Sequence, residues 1–255
     1  IELAAGVNIA PTGTISAADA NTFFLAAPTG TLTATVTAGS ASALNKALKD
    51  VPTNDSQVLT LKVTGATATA VDLTTLESKT LKAVDASAVK TMTGSIAELQ
   101  AVYTAKTVTE IALNASLNAT ITGIVTVADL TALETLLASV DGKATATVTP
   151  STASALAAAF SANGKPTDAL TFNVVEERDG TGTVVATDAA DLVTLDNQTS
   201  VKVKVDATQI TGTYAQLEQV YISGKAGFSN LGNEAVTFTG TTTAARVDSI
   251  LKATT

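Results

Sequence analysis

The chain has 255 residues, 45% of them hydrophobic, with a net charge of −8 and an isoelectric point near 4.5. So apolar a composition excludes a disordered Thr/Ser linker, and the length allows a core to form without metal or disulfide support. The acidic balance argues against a nucleic-acid partner, and the absence of His and Cys excludes Ser-His-Asp and Cys-His catalysis and every His- or Cys-ligated metal.

Aromatics are 4% and Trp is absent, so the core is expected from Ala, Val, Leu, Ile and Thr methyls, a small-residue packing that suits stacked, repetitive layers. The longest apolar stretches, such as residues 153–162, fall short of the roughly 20 residues that span a bilayer. The opening at Ile1 reads as a mature or excised piece.

In chain order, residues 8–30 form a partial unit, with Thr12-Gly13-Thr14-Ile15-Ser16 leading into a helical run that carries Phe23 and Phe24 on one stripe. Thr33–Thr37 is an alternating strand, and Ala41–Leu44 starts a helix. The pair Thr-Gly then recurs at Thr64-Gly65, Thr93-Gly94 and Thr122-Gly123, 29 residues apart, and at Thr211-Gly212 and Thr239-Gly240, 28 apart. A β-rich run precedes each pair and a helical pattern follows, so a unit of about 28 residues is expected: strand, glycine turn, short helix. Ser95 with Glu98 and Thr213 with Gln216 fit the capping box, in which side chain and backbone satisfy each other. Leu99, Val102, Tyr103 and Leu217, Val220, Tyr221 are the matching inward stripes.

A longer duplication overlies this period. Thr33–Thr37 returns as Thr145–Thr149 and Ala41–Leu44 as Ala153–Leu156, both at an offset of 112, and Ala97–Tyr103 matches Ala215–Tyr221 at 118. The expected organisation is a partial repeat over 1–30, a first block over 31–143 and a second over 144–255. An insertion at Glu176–Thr183, with Asp179-Gly180 between two Val-Val pairs, predicts a β-hairpin. About nine units are expected, and nine strands stacked at ~4.8 Å make a rod of about 40 Å. Ser249–Lys252 supplies no polar cap, which reads as a slice of a longer array. The fold class is therefore α/β, tandem strand-plus-helix repeats of solenoid type, with two compact α/β domains as the alternative.

Each chemical signal has a plainer reading beside it. Ser87-Ala88-Val89-Lys90 has the spacing of Ser–Lys acyl enzymes but lacks their accompanying motifs, and Lys90 lies near a loop three residues shorter in the second block. Glu176, Glu177 and Asp179 offer oxygens for acid–base work or Ca²⁺, although neighbouring strand residues point to opposite faces, as on a solvated hairpin tip. Gly180-Thr181-Gly182 is a turn rather than a dinucleotide fingerprint. Asp85 and Asp206, both in Val-Asp-Ala, are read as corner aspartates accepting backbone hydrogen bonds. Tyr103 and Tyr221 are read as packing residues rather than a carbohydrate-stacking ladder. No catalytic, cofactor-binding or metal-ligating residue is assigned.

Val205–Ala207, Ile210–Gly212, Ala215–Tyr221 and Gly232–Thr237 resemble repeats of very large surface or secreted proteins of marine bacteria, cyanobacteria above all, and the resemblance covers about residues 33–255. These repeats occur in S-layer-like and adhesin-like arrays. The resemblance implies an exported, repetitive structural role and carries no catalytic residues. The expected function is a non-enzymatic structural segment of an extracellular or cell-surface protein, such as an S-layer, filament or adhesin stalk. It would self-associate head to tail or laterally, with no cofactor, no nucleic acid and no membrane span. The alternatives are a calcium-stabilised adhesin module binding surface glycans, and a solenoid polysaccharide-degrading enzyme.

Overall fold

The computed structural model describes residues 6–160 and 164–254. It is a mixed α/β structure with several parallel sheets, nine α-helices among the described residues and no closed barrel. The chain divides into two compact units, one of residues up to Thr122 together with Val140–Gly142, the other of Gly123–Ser139 together with residues from Lys143 on.

The first unit runs β1 (Thr14–Ile15), α1 (Ala17–Ala26), β2 (Thr33–Val36), α2 (Ala41–Ala47), β3 (Val58–Thr60), β4 (Thr67–Thr69), α3 (Ala70–Glu77), β5 (Val84–Ala86), β6 (Thr91–Gly94), α4 (Ile96–Thr107), β7 (Ile111–Leu113) and the start of β8 (Asn118–Val125). Its strands pair in parallel and in sequence order: β1 with β2 and β2 with β3, β5 with β7, and β4 with β6 and β6 with β8.

The second unit contains α5 (Leu130–Ser139), β9 (Ala144–Val148), α6 (Ala153–Ala159), β10 (Ala169–Thr171), β11 (Asn173–Val174), β12 (Glu177–Arg178), β13 (Val184–Val185), β14 (Thr187–Asp188), α7 (Ala189–Asp196), β15 (Val203–Val205), β16 (Gln209–Gly212), α8 (Tyr214–Glu218), β17 (Phe228–Ser229), β18 (Ala235–Phe238) and α9 (Ala244–Ala253). Here too the order follows the sequence: β9 with β10, β11-β15-β17 and β14-β16-β18, all parallel. The antiparallel exception is β12 with β13, the hairpin expected from the insertion. Its five-residue tip pivots on Gly182 (φ +85°) rather than on Asp179-Gly180.

Alternation dictates the strands. In β2 and β9 the burial pattern is strictly alternate, with Ala34 and Val36, or Ala144, Ala146 and Val148, inside. The threonines between them face out: Thr14, Thr35 and Thr60 stand in one exposed, in-register row. This corrects the expected core, because Thr methyls contribute little to it. The buried layer is Ala, Val, Leu and Ile, joined by Phe160 and Phe172 edge to face at 5.1 Å, and the buried threonines are Thr80, Thr187 and Thr199.

The helices are 5 to 12 residues long, too short to persist alone in water. Caps offset this. Ser16, Ser40, Thr69, Ser95, Thr152, Asp188, Thr213 and Thr243 each accept a backbone N–H of the first turn, a contact of about 1 kcal/mol apiece. Both predicted capping boxes form, with Ser95 N donating to Glu98 Oε2 at 2.8 Å and Thr213 N to Gln216 Oε1 at 2.7 Å. Leu99, Val102 and Tyr103, and their counterparts Leu217, Val220 and Tyr221, are all buried. The two helices then diverge: α4 stays regular, whereas α8 widens into a π turn over Gln219–Ser223 that closes on Gly224, where a Cβ would lie 2.3 Å from Gln219 O.

The unit differs from the expected one. Two strand segments precede most helices, and positions paired in parallel lie 21 to 31 residues apart, as in Thr14 with Thr35 and Asn173 with Lys204. Thr67 pairs with Thr91, a shift of 24 residues, so Thr-Gly pairs spaced by 29 drift through the structure. Gly65 (φ +106°) turns the chain before β4, whereas Gly94 ends β6. Gly94 and Gly212 are glycines for close approach: a Cβ there would lie 3.0 Å from the Ala70 Cβ or 2.9 Å from the Ala189 Cβ, in equivalent layers of the two halves.

Candidate functional site

Two clefts in the first unit collect polar side chains. One, of about 520 Å³, lies between the start of α2 and the edge strand β4, and is lined by Ser40, Ser42, Thr67, Thr69, Asp72 and Thr93 with two alanines. Asp72 accepts from Thr69 Oγ1 at 2.8 Å and from Asn45 Nδ2 at 3.0 Å. The other, of about 250 Å³, gathers Asp55, Glu77 and Glu110 beside Lys82, with Leu81 and Val108 exposed on its rim. Burial, with the charges of Asp55 and Glu110 adding to it, raises the Glu77 pKa. In the second unit a cleft of about 210 Å³ holds Asp206, Asn230, Asn233 and Glu234. Among the described residues no three carboxylates converge as metal ligands.

The signals singled out in the sequence fall as follows. Ser87 Oγ donates to Asp85 Oδ1 and not to Lys90, so the Ser-x-x-Lys spacing assembles no Ser–Lys pair. Asp85 also accepts from Ser87 N at 3.1 Å and pairs with Lys62 at 2.9 Å, and the Ser87 and Lys62 bonds hold its pKa at about 2. Asp206 pairs with Lys204 at 2.6 Å and accepts from Asn230 Nδ2 at 2.7 Å, and the lysine lowers its pKa. The two aspartates are not equivalent, however. Lys62 pairs in register with Asp85 and its counterpart Asn173 with Lys204, so Lys204 takes the place of Asp85 and the following turn is one residue shorter, not three.

Because the folded pKa of Asp85 is depressed, its contribution is present above the ordinary carboxylate value and lost as pH falls through about 2. In urea titrations between pH 6 and pH 2, Asp85→Asn should lower stability at pH 6 by less than about 1 kcal/mol, the scale of a partly solvated pair, and by clearly less at pH 2. An equal loss at both values would refute the linkage.

On the hairpin the neighbouring carboxylates diverge. Glu176 binds Arg178 at 2.7 Å and accepts from Thr208 Oγ1 at 3.3 Å, while Glu177 accepts from Ser154 Oγ at 3.0 Å. Asp179 Oδ1 accepts from Thr181 N at 2.8 Å and Thr183 N at 3.0 Å, closing the tip, and the Thr181 bonds lower its pKa. Gly180-Thr181-Gly182 lies in that tip, with no helix after it.

Tyr103 and Tyr221 are buried, out of reach of a stacked sugar. Their hydroxyls differ. Tyr221 Oη donates to Glu234 Oε2 at 3.0 Å, whereas Tyr103 Oη is buried without a hydrogen-bond partner among the described residues, since Leu117 stands where the second half has Glu234. Burial, aided by Asp141, pushes the Tyr103 pKa up to about 12. Tyr103→Phe should therefore be neutral or stabilising by up to about 1 kcal/mol, and Tyr221→Phe should cost about 1–2 kcal/mol. Thermal melts of the two variants check this, and equal signs would contradict it.

The sequence reading missed the 520 Å³ cleft and the buried hydroxyls of Thr80 and Thr199. Thr80 and Thr199 were visible in principle, because they share the helix-to-strand link at an offset of 119. Comparison with known protein families, with curated proteins and with solved structures returns no match.

Proposed function

We propose that the chain is a non-enzymatic structural repeat segment of an extracellular or cell-surface protein, an α/β solenoid in which each turn contributes strand, strand and helix. One observation carries this reading: within every parallel sheet the strands stand in sequence order, as in β1-β2-β3 and β14-β16-β18. Stacked units of this kind bury a continuous core and favour extension over a closed site. The duplicated halves, the outward Thr rows and the acidic surface suit a soluble spacer, and exposed edges suit self-association into S-layer, filament or stalk.

Mild stripping of the source cells, followed by mass spectrometry of the released proteins, tests the location. Peptides of this chain recovered from the surface fraction in a large or abundant protein support the proposal; recovery in a soluble cytosolic protein overturns it. The structural reading also expects a melting temperature indifferent to millimolar calcium, and a rise would instead favour a calcium-stabilised adhesin.

A further inference from the structure

The duplicated halves carry opposite charge at matching places. Thr80 and Thr199 bond Leu59 and Leu170 in the same way, and Val84 pairs with Ile111 as Val203 pairs with Phe228. These contacts match the helix-to-strand links of the two units residue by residue. In the first unit the links form the 250 Å³ cleft, where Asp55, Glu77 and Glu110 stand beside one lysine, Lys82. In the second unit Pro166 takes the place of Asp55, with Lys165 before it, and Asp196 takes that of Glu77. Lys202 replaces Ala83 and Lys225 replaces Val108. Gly227 replaces Glu110, and a Cβ there would lie 1.9 Å from Asp196 Oδ1. Three carboxylates with one lysine thus become three lysines with one carboxylate, and all eight side chains are exposed or half-buried.

The first unit's face is also apolar at its rim. Leu81 is 65% exposed and Val108 55%, whereas Ser200 and Lys225 hold those places in the second unit. A paired apolar rim gains free energy when covered, at about 25 cal/mol per Å², and crowded carboxylates gain from a cation brought among them. Each face repels a copy of itself and attracts the other. The pattern therefore selects a heterologous contact, first unit to second unit, over symmetric pairing of either face.

We propose that the acidic link face of the first unit docks the lysine-bearing link face of the second unit of another copy of this chain, with Leu81 and Val108 covered by the contact and the charges paired around them. This rests on the self-association proposed above and names the surface that carries it; it is independent of where the protein resides. A heterologous contact that does not close on itself extends into a filament.

Sedimentation of the intact chain over a range of concentrations tests the interface. Association should grow with concentration and weaken between about 0.1 M and about 1 M salt, as the screening length falls from about 10 Å to about 3 Å. Glu110→Lys and Lys202→Glu, both at exposed positions, should each weaken it about tenfold. The two variants mixed should form a dimer that grows no further, because each supplies the intact face that the other lacks. A chain that stays monomeric throughout overturns the proposal and the self-association with it, leaving the location to the cell-stripping result. Association that neither charge reversal weakens, or a mixture that forms no dimer, overturns this surface and leaves self-association through another.

Discussion

Thr80→Val and Thr199→Val should each destabilise the protein by about 2–3 kcal/mol, and by similar amounts. The Thr80 hydroxyl is buried and fully used: it donates to Leu59 O at 2.7 Å and accepts from Leu59 N at 2.9 Å and Lys82 N at 3.1 Å. Thr199 repeats the arrangement, donating to Leu170 O at 2.7 Å and accepting from Leu170 N and Val201 N at 3.0 Å each. A hydroxyl has one donor and two acceptor sites, so each threonine pins a strand to the link above it with its whole capacity. Valine keeps the shape and leaves two buried backbone groups and one half-buried N–H unpaired, which is why the loss exceeds that of one ordinary hydrogen bond. The measurement is the urea midpoint at constant slope, with a fall in melting temperature of about 4–10 °C expected beside it. A loss below about 0.5 kcal/mol in either variant would mean that water or a backbone shift replaces the hydroxyl.

The second large effect is expected at Lys79. Its side chain is buried, and Nζ donates to Leu48 O at 3.0 Å and Val51 O at 2.6 Å, at the end of α2. Burial lowers its pKa, partly countered by Asp50. A cation against terminal helix carbonyls also meets the negative end of the helix dipole. Lys79→Met should cost about 2 kcal/mol, because Val51 O loses a charge-assisted donor while Leu48 O keeps the bond from Val51 N. Lys79→Gln should cost less, since an amide still donates and glutamine stands at the same place in the second half, at Gln198. Equal losses for Met and Gln would show that packing of the lysine stem, not its hydrogen bonds, holds the site.

How much of this was legible follows from the range of the forces involved. The capping boxes at Ser95 and Thr213, the buried stripes through Tyr103 and Tyr221, and the hairpin at Glu177–Val185 were readable because each depends on residues within ten positions of one another. The register was not. The Thr-Gly spacing suggested one constant period, yet register is set by which apolar face meets the core, and Gly65 and Gly94 serve different needs, a left-handed turn and a close approach. Asp85 and Asp206 looked equivalent by their neighbours and stand two positions apart in the strands. The cleft beside β4 was not legible either, because its walls come from α2, β4 and Thr93 of β6, segments far apart in the sequence that only the fold brings together.

The sequence-ordered pairing of the strands also bears on how the chain reaches this state. Each parallel strand pair joins residues 21 to 31 positions apart, about a tenth of the chain length, so relative contact order is low for a protein so rich in parallel sheet. Loop closure is then cheap at every step, and folding is expected to be fast for a β-containing protein. A chain emerging N-terminus first can pair one further parallel strand for every 25 or so residues delivered, without waiting for its far end.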